Sequence, residues 1–301
     1  MKNNILGYNF LLLIILSSIW GSAFLAIKIS VESINPVTVA SGRLLIGAFF
    51  LYIFYKYKKI QFTPNKKIIL YFFLIGLIGN FIPFFLISWS EVYIQSNTAG
   101  LLLSVAPIFA LLIAHYFTKD DKFSLKKLMA VFIGFIGVVF IFGLESLIAL
   151  FSNNYVLIFP KIAIIIAALG YVISSIMAYN IKDINIITLT TFVTICAAII
   201  SVPFMLYVEL QNPSMPIGKS MISLLYLGIF PTALAFLLRF YIILKEGPIF
   251  LSYVAYLIPV FAIFWGFVFL GEKISVSIVI GLLFILTGTF IGKKTTSVRN
   301  S

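Results

Sequence analysis

Few side chains in this sequence could do chemistry, and the most conspicuous of them are cations. Arg43 and Arg239 fall within long apolar runs, His115 is the one histidine and Cys196 the one cysteine. Glu91, Glu209 and Glu272 border the ends of apolar runs rather than their middles, so a carboxylate-based proton relay has no support. His115 titrates in a range useful for proton coupling, but a lone histidine at the end of a span fits a structural role better. A single cysteine allows no intrachain disulfide. No Gly-x-x-x-x-Gly-Lys-Ser/Thr loop is present, which excludes ATP as a driving force within this chain. No cluster with metal-ligand spacing, no Gly-x-Ser-x-Gly and no paired carboxylates appear either, so the reading is not an enzyme, with no cofactor and no metal.

A guanidinium inside a bilayer costs at least about 2.5–3.5 kcal/mol and is normally paired or functional. Arg43 stands seven residues into its run, roughly 10 Å deep at 1.5 Å per residue. It can contact an anionic or carboxylate group, or hydrogen-bond helix ends and carbonyls across the bundle. Arg239 is expected near the cytoplasmic end of its helix, its stem snorkelling to the interface. Lys28 and Glu32 are four apart, which allows a local ion pair if the first helix extends that far. Pro83, Pro107, Pro203, Pro231 and Pro259 fall inside apolar runs, where each removes a donor and favours a kink.

These residues sit in a chain that water cannot solvate. Of 301 residues, 62% are hydrophobic and 10% charged, against about 25% charged in globular domains, and the mean hydropathy is +1.16. About 20 apolar residues cross the hydrocarbon core as a helix. Such runs predict an all-α membrane protein with ten transmembrane helices near 8–29, 36–55, 67–88, 95–117, 126–143, 160–179, 186–207, 220–242, 248–270 and 275–292. The first run is too long for the apolar region of a cleaved signal peptide.

Lysine and arginine set the orientation. Fifteen flank one face of the expected bundle (for example Lys56, Lys58, Lys59, Lys119, Lys122 and Lys245) and four the other (Lys28, Lys161, Lys219, Lys273). Both termini are therefore expected in the cytoplasm, in a multi-pass protein of the cytoplasmic (inner) membrane. Cations dispersed over membrane-flanking loops do not form a nucleic-acid surface; the expected partners are the lipid bilayer and a small-molecule substrate, with monomer or homodimer left open.

The chain repeats itself. The 35 residues from Gly76 align without a gap on those starting at Gly228, 152 residues later, placing Phe84 on Phe236, Pro107 on Pro259 and Ala110 on Ala262. "INPVT" at Ile34 falls on "INIIT" at Ile184, and Gly137 on Gly288, with offsets of 150 and 151. The units are 1–147 and 148–301, five helices each. An odd count makes the second copy enter the membrane inverted, with a site expected near midplane between the halves. Helices 4 and 9 are expected to bend at Pro107 and Pro259 around that site.

With these elements in order, the chain resembles EamA-type members of the drug/metabolite transporter superfamily. The likeness is carried by "WGSAFLAIK" from Trp20, "INPVTVASGRLLIGAF" with Arg43, "APIFALLIAHYF", "YLIPVFAIFWGFVFLGEKI" from Tyr256 and "GLLFILTGTFIG". One departure is Asp120 where the second half has Glu272. The resemblance implies ten helices around a central cavity and transport of amino acids, nucleobases, other metabolites or drugs. It also implies that an arginine at position 43 is common whatever the substrate, which favours the structural role. On the helices that border the cavity in the resembled fold stand Trp20, Trp89, Tyr171, Tyr253, Tyr256 and Trp265, with Asn80, Ser104 and Ser174 as polar candidates; packing and interhelical hydrogen bonding compete with substrate contact at each. The expected function is secondary transport of small metabolites by alternating access; a membrane-embedded enzyme or lipid-handling protein with lateral access is the rival.

Overall fold

Lysine-bounded apolar runs become helices because lipid offers no partner to backbone amides and carbonyls, so each spanning segment satisfies its own. The computed structural model describes residues 2–149, 157–181, 183–270 and 276–297; Lys182, Glu272 and Lys273 lie outside them. Among the described residues there is no strand. Nine helices among the described residues are long and apolar enough to span a membrane: α1 (Tyr8–Val31), α2 (Pro36–Tyr57), α3 (Lys66–Tyr93), α4 (Thr98–Phe117), α5 (Leu125–Gly143), α6 (Ile158–Tyr179), α7 (Ile186–Gln211), α8 (Gly218–Glu246) and α9 (Pro248–Trp265). A tenth apolar helix, α10 (Val276–Gly292), is shorter. Spans α3 and α8 run several residues beyond their expected ends.

Local chemistry fixes the helix starts. Asn65 Oδ1 accepts from the Ile68 amide at 2.9 Å to open α3. Asn185 does the same for the Ile187 amide at 2.9 Å to open α7. Its repeat counterpart Asn35 precedes α2, where Pro36 occupies a first-turn position whose amide needs no acceptor. The Asn35 side chain is turned instead to the other half, donating to Glu209 Oε1 at 3.2 Å and to the Asn212 carbonyl at 2.7 Å.

The two halves pack through matching pairs. Span α2 lies along α7 and α5 along α10; α1 packs on α8 and α9, and α6 on α3 and α4. This set is unchanged when each of the first five helices is exchanged with its counterpart among the second five. The α5–α10 contact is backbone-close: a Cβ on Gly137 would stand 2.5 Å from the Gly281 carbonyl, and one on Gly281 2.6 Å from the Gly137 carbonyl. Small residues let helices approach where lipid removes the hydrophobic drive for association.

Four of the ten spans are interrupted. Span α3 carries a π-helical turn at Leu77–Phe81 and α8 one at Gly228–Leu234, which the repeat offset of 152 superimposes. A proline cannot donate to the carbonyl four residues earlier and pushes against it. Pro83 thus frees the Gly79 carbonyl and Pro231 that of Leu227. Spans α4 and α9 break at Ser104–Val105 and at Tyr253, each ahead of its proline. Pro107 lies in the first turn of the second helical piece of α4, whereas Pro259 lies inside the second piece of α9.

Replacing Gly137 with Val forces α5 and α10 apart, at a cost of about 1–3 kcal/mol. Gly218→Ala, where a Cβ meets nothing within 4 Å, is the control. Thermal unfolding in detergent should fall by several degrees for the first variant and stay put for the second.

Candidate functional site

The interrupted helices surround a cavity whose free space, with the open solvent at its mouth included, is about 780 Å³. Its walls come from both halves: Trp20, Phe24 and Ile27 of α1, Arg43 of α2, Phe84 and Ile87 of α3 and Leu103 of α4 on one side; Tyr171 and Ser175 of α6, Arg239 of α8 and Leu251, Ser252 and Ile258 of α9 on the other. Among the described residues, helices α5, α7 and α10 contribute nothing to the lining.

The polar geometry rests on the two π-turns. A π-turn widens the helix and leaves backbone groups and side chains turned out of register, and each turn here receives a group from the opposite half. Into the first-half turn comes Arg239, donating through Nη1 to the Gly79 carbonyl at 3.3 Å and to Asn80 Oδ1 at 3.1 Å, and through Nη2 to Ser174 Oγ at 2.7 Å. Into the second-half turn come Arg43, whose Nε donates to Thr232 Oγ1 at 3.0 Å, and Trp20, whose Nε1 donates to the Pro231 carbonyl at 3.1 Å. The repeat offset carries Gly79 onto Pro231 and Asn80 onto Thr232, so equivalent positions do equivalent work in the two turns. Thr232 is itself fixed, donating to the Leu227 carbonyl that Pro231 frees, at 2.8 Å.

Aromatic rings hold both guanidinium groups. The Arg43 guanidinium carbon lies 3.6 Å from the centre of the Phe84 ring, a close cation–π contact. Arg239 is ringed by Tyr171, Phe236 and Phe240 at 5.2–5.6 Å. Trp20 and Tyr171 stack across the halves, with centroids 6.4 Å apart and planes 20° from parallel.

Of the residues singled out from sequence, Trp20, Arg43 and Tyr171 line the cavity, while Asn80 and Ser174 stand behind it as acceptors for Arg239. The others lie elsewhere. Trp89 packs edge-on against Tyr93. Ser104 Oγ donates to the Leu101 carbonyl at the α4 break. Tyr253 is buried with its ring against Gly292, and Tyr256 is buried against Gly134 with its hydroxyl donating to the Val131 carbonyl at 2.9 Å. Trp265 donates to the Ser18 carbonyl. On α9 the two tyrosines thus face α5 and α10, the side away from the cavity.

Three sequence expectations are corrected. Arg239 does not snorkel: it is 1% exposed and sits seven residues, about 10 Å, from the end of α8, as deep as Arg43. Counting residues to the end of the run, as was decisive for Arg43, is the signal that identifies it. Lys28 does not pair with Glu32; its ammonium donates to the Glu91 carbonyl, and Glu32 meets Lys219 in an exposed pair. Glu91, although near a helix end, is fully buried, with Oε2 accepting from Ser96 Oγ at 3.1 Å and Oε1 unpartnered. His115 lies outside the lining, its Nδ1 accepting from the Phe123 amide at 3.3 Å. Among the described residues no three His, Cys, Asp or Glu side chains converge as a metal site.

Known proteins share this plan. A solved crystal structure superposes with a TM-score of 0.77, covering 98% of this chain and 99% of that one at 16% identity, a likeness of fold alone. YoaV of Bacillus subtilis (strain 168), named an uncharacterized transporter, is 27% identical over 93% of this chain and 95% of its own length. A protein of Chlamydia muridarum (strain MoPn / Nigg), named an S-adenosylmethionine/S-adenosylhomocysteine transporter, is 21% identical over 90% of this chain and 86% of its own. The model of the EamA-like transporter family matches twice, at residues 8–143 and 155–291. The chain is a multi-pass integral membrane protein belonging to the EamA-like transporter family.

Proposed function

We propose that this protein is a secondary transporter of the cytoplasmic membrane that moves small metabolites, amino acids or similar solutes, by alternating access. Its two five-helix halves are inverted, both termini are cytoplasmic, and the halves rock about the central cavity. The observation that carries this reading is the reciprocal seating of Arg43 and Arg239 in the opposite halves' π-turns. Such a joint lies at the centre of the bundle, so either end can open while the middle keeps its contacts.

Polar contacts between the halves at both ends supply the two gates. At the end holding the N-terminus, Asp121 follows α4, pairs with Lys127 and accepts from the Ile249 amide of α9 at 3.0 Å. Gly247 (φ 93°) makes room for it, since a Cβ there would come 2.7 Å from Asp121 Oδ2. Asn9 reaches Glu246 nearby. At the opposite end Glu209 of α7 accepts from Thr38 and Asn35 of the first half, and Ser220 of α8 donates to the Ile29 carbonyl at 2.9 Å. Each set consists of a few hydrogen bonds, worth about 0.6 kcal/mol apiece in a membrane, so either can break without unfolding a half.

Counterflow in proteoliposomes preloaded with a panel of labelled amino acids, nucleobases and amines should show exchange of at least one; none with any would overturn the assignment. Trp20→Ala should cut exchange about tenfold or more with an unchanged melting temperature. Tyr256→Ala should instead lower the melting temperature, because it removes a buried ring and leaves the Val131 carbonyl unpaired, about 3–5 kcal/mol in comparable cores. Unchanged melting in Tyr256→Ala would remove its packing role.

Asp121→Ala uncaps the start of α9 at the N-terminal end. Labelling of a cysteine placed at Ser252 by a membrane-impermeant thiol reagent, added from that side, should rise severalfold over the same cysteine with Asp121 intact. Equal labelling would show that Asp121 does not hold this end closed.

A further inference from the structure

The cavity contains a cation with nothing to neutralise it. Arg43 is 2% exposed and has five N–H donors in a planar fork. Only Nε is used, on the hydroxyl of Thr232, so its two terminal amino groups have no hydrogen-bond partner among the described residues. Phe84 covers one face of the guanidinium at 3.6 Å, which leaves the edge as the way to approach it. Arg239, the second guanidinium of the lining, differs: Asn80, Ser174, Ser175 and the Gly79 carbonyl occupy its amino groups. No carboxylate is in ion-pair contact with either arginine among the described residues. The acidic group whose charge reaches Arg43 is Glu91, which makes no contact with it and has Lys28 on its own backbone carbonyl. One carboxylate therefore stands against three cations.

A buried charge lacking a partner is costly, and a fork with a free edge matches the two oxygens of a carboxylate. Tyr171, whose hydroxyl makes no hydrogen bond among the described residues, stands on the opposite wall stacked on Trp20. Apart from Ser175, Ser252 and Arg239 the remaining lining is apolar, with Phe24, Ile27, Ile87, Leu251 and Ile258 prominent. Among the described residues it contains no acidic side chain to pair with an ammonium. We infer that the cavity is selective for organic monocarboxylates with an apolar body, the carboxylate seated on the edge of Arg43 and the body against the apolar wall, and that an amino group is not required for recognition. This deepens the transport reading, resting on the cavity being the substrate site.

Three probes of nearly one shape separate the charge from the body: 4-methylpentanoate, 4-methylpentanamide and isopentylamine, titrated calorimetrically into the full chain in nanodiscs. The carboxylate should bind about tenfold or more tighter than the amide, as expected for a charge-assisted bidentate contact, and the amine weakest. Arg43→Gln should bring carboxylate and amide to within about twofold of each other, with the larger loss on the carboxylate; a purely structural arginine would weaken all three together. Arg43→Lys, which keeps the charge and loses the fork, should retain part of the preference and serves where the Gln variant does not fold. Should neither fold, the wild-type ranking decides alone. Amide or amine binding as tightly as carboxylate, or a carboxylate preference that survives Arg43→Gln, overturns the inference. The transport reading fails separately: carboxylate binding that depends on Arg43 with no exchange of any solute in proteoliposomes would leave the anion site standing and remove the transporter, whereas exchange of amines or neutral solutes without an Arg43 effect would do the reverse.

Discussion

Everything polar at the centre of this bundle depends on two helical turns that proline has opened. In a regular helix the Gly79 carbonyl would receive the amide of residue 83 and the Leu227 carbonyl that of residue 231; both positions are proline, which has no amide to give. In lipid a carbonyl left unpaired costs several kcal/mol, so each must find another donor. Arg239 supplies it for Gly79; for Leu227 the i→i−5 pairing of the π-turn takes over, with the Thr232 hydroxyl as a further donor. The second solution orients Thr232 to accept from Arg43, and the widened turn leaves the Pro231 carbonyl to Trp20. A defect in backbone pairing, made by prolines at non-equivalent positions of matching turns, thus becomes a set of bonds between the halves.

The periphery is assembled on different terms. Helices α5 and α10 take no part in the cavity and meet through glycines at backbone distance, a contact governed by shape. Around the cavity the contacts are hydrogen bonds and aromatic stacking, each modest in energy and replaceable by another of its kind. A shape-fitted seam resists sliding, whereas a polar joint can exchange partners. The shape-fitted seam and the polar joint are thus divided between different helices, as the proposed rocking of the halves about the centre requires.

How much of this was legible in the sequence depends on which physical signal a residue carries. The spans were, because length and apolarity alone decide whether a helix crosses hydrocarbon. The 152-residue offset also carried more than relatedness, since it already paired Gly76 with Gly228 and so the two segments that become π-turns. What stayed hidden is which side of a span faces inward. Span α9 is apolar all round, and such a helix has no polar face to orient it; Tyr253 and Tyr256 therefore look like cavity residues in sequence and pack against α5 and α10 in the fold. Arg239 was obscured by its neighbour Lys245, which marks the end of the span and makes a cation in the same helix look interfacial. Glu91 was obscured likewise: two residues from the end of α3 is outside the membrane for an isolated helix, but here Ser96 and Lys28 fold over it.

The different surroundings of the two arginines follow from where each stands relative to the turn it serves. Arg239 enters the first-half turn alongside α6, whose Ser174 and Ser175 lie within reach, so its charge is spread over neutral acceptors and its position is fixed. Gly79 is what permits this closeness, because a Cβ there would stand 2.1 Å from Ser174 Oγ and 3.4 Å from the guanidinium. Arg43 enters the second-half turn where the corresponding acceptor is a single threonine hydroxyl, and its flank is closed by the Phe84 ring, which accepts no ordinary hydrogen bond in the plane of the guanidinium. One arginine is consequently part of the frame, and the other keeps its donors facing the cavity. In the proposed cycle a solute that occupies those donors touches a residue of the first half already bonded to the second, so binding and the angle between the halves are linked through one side chain.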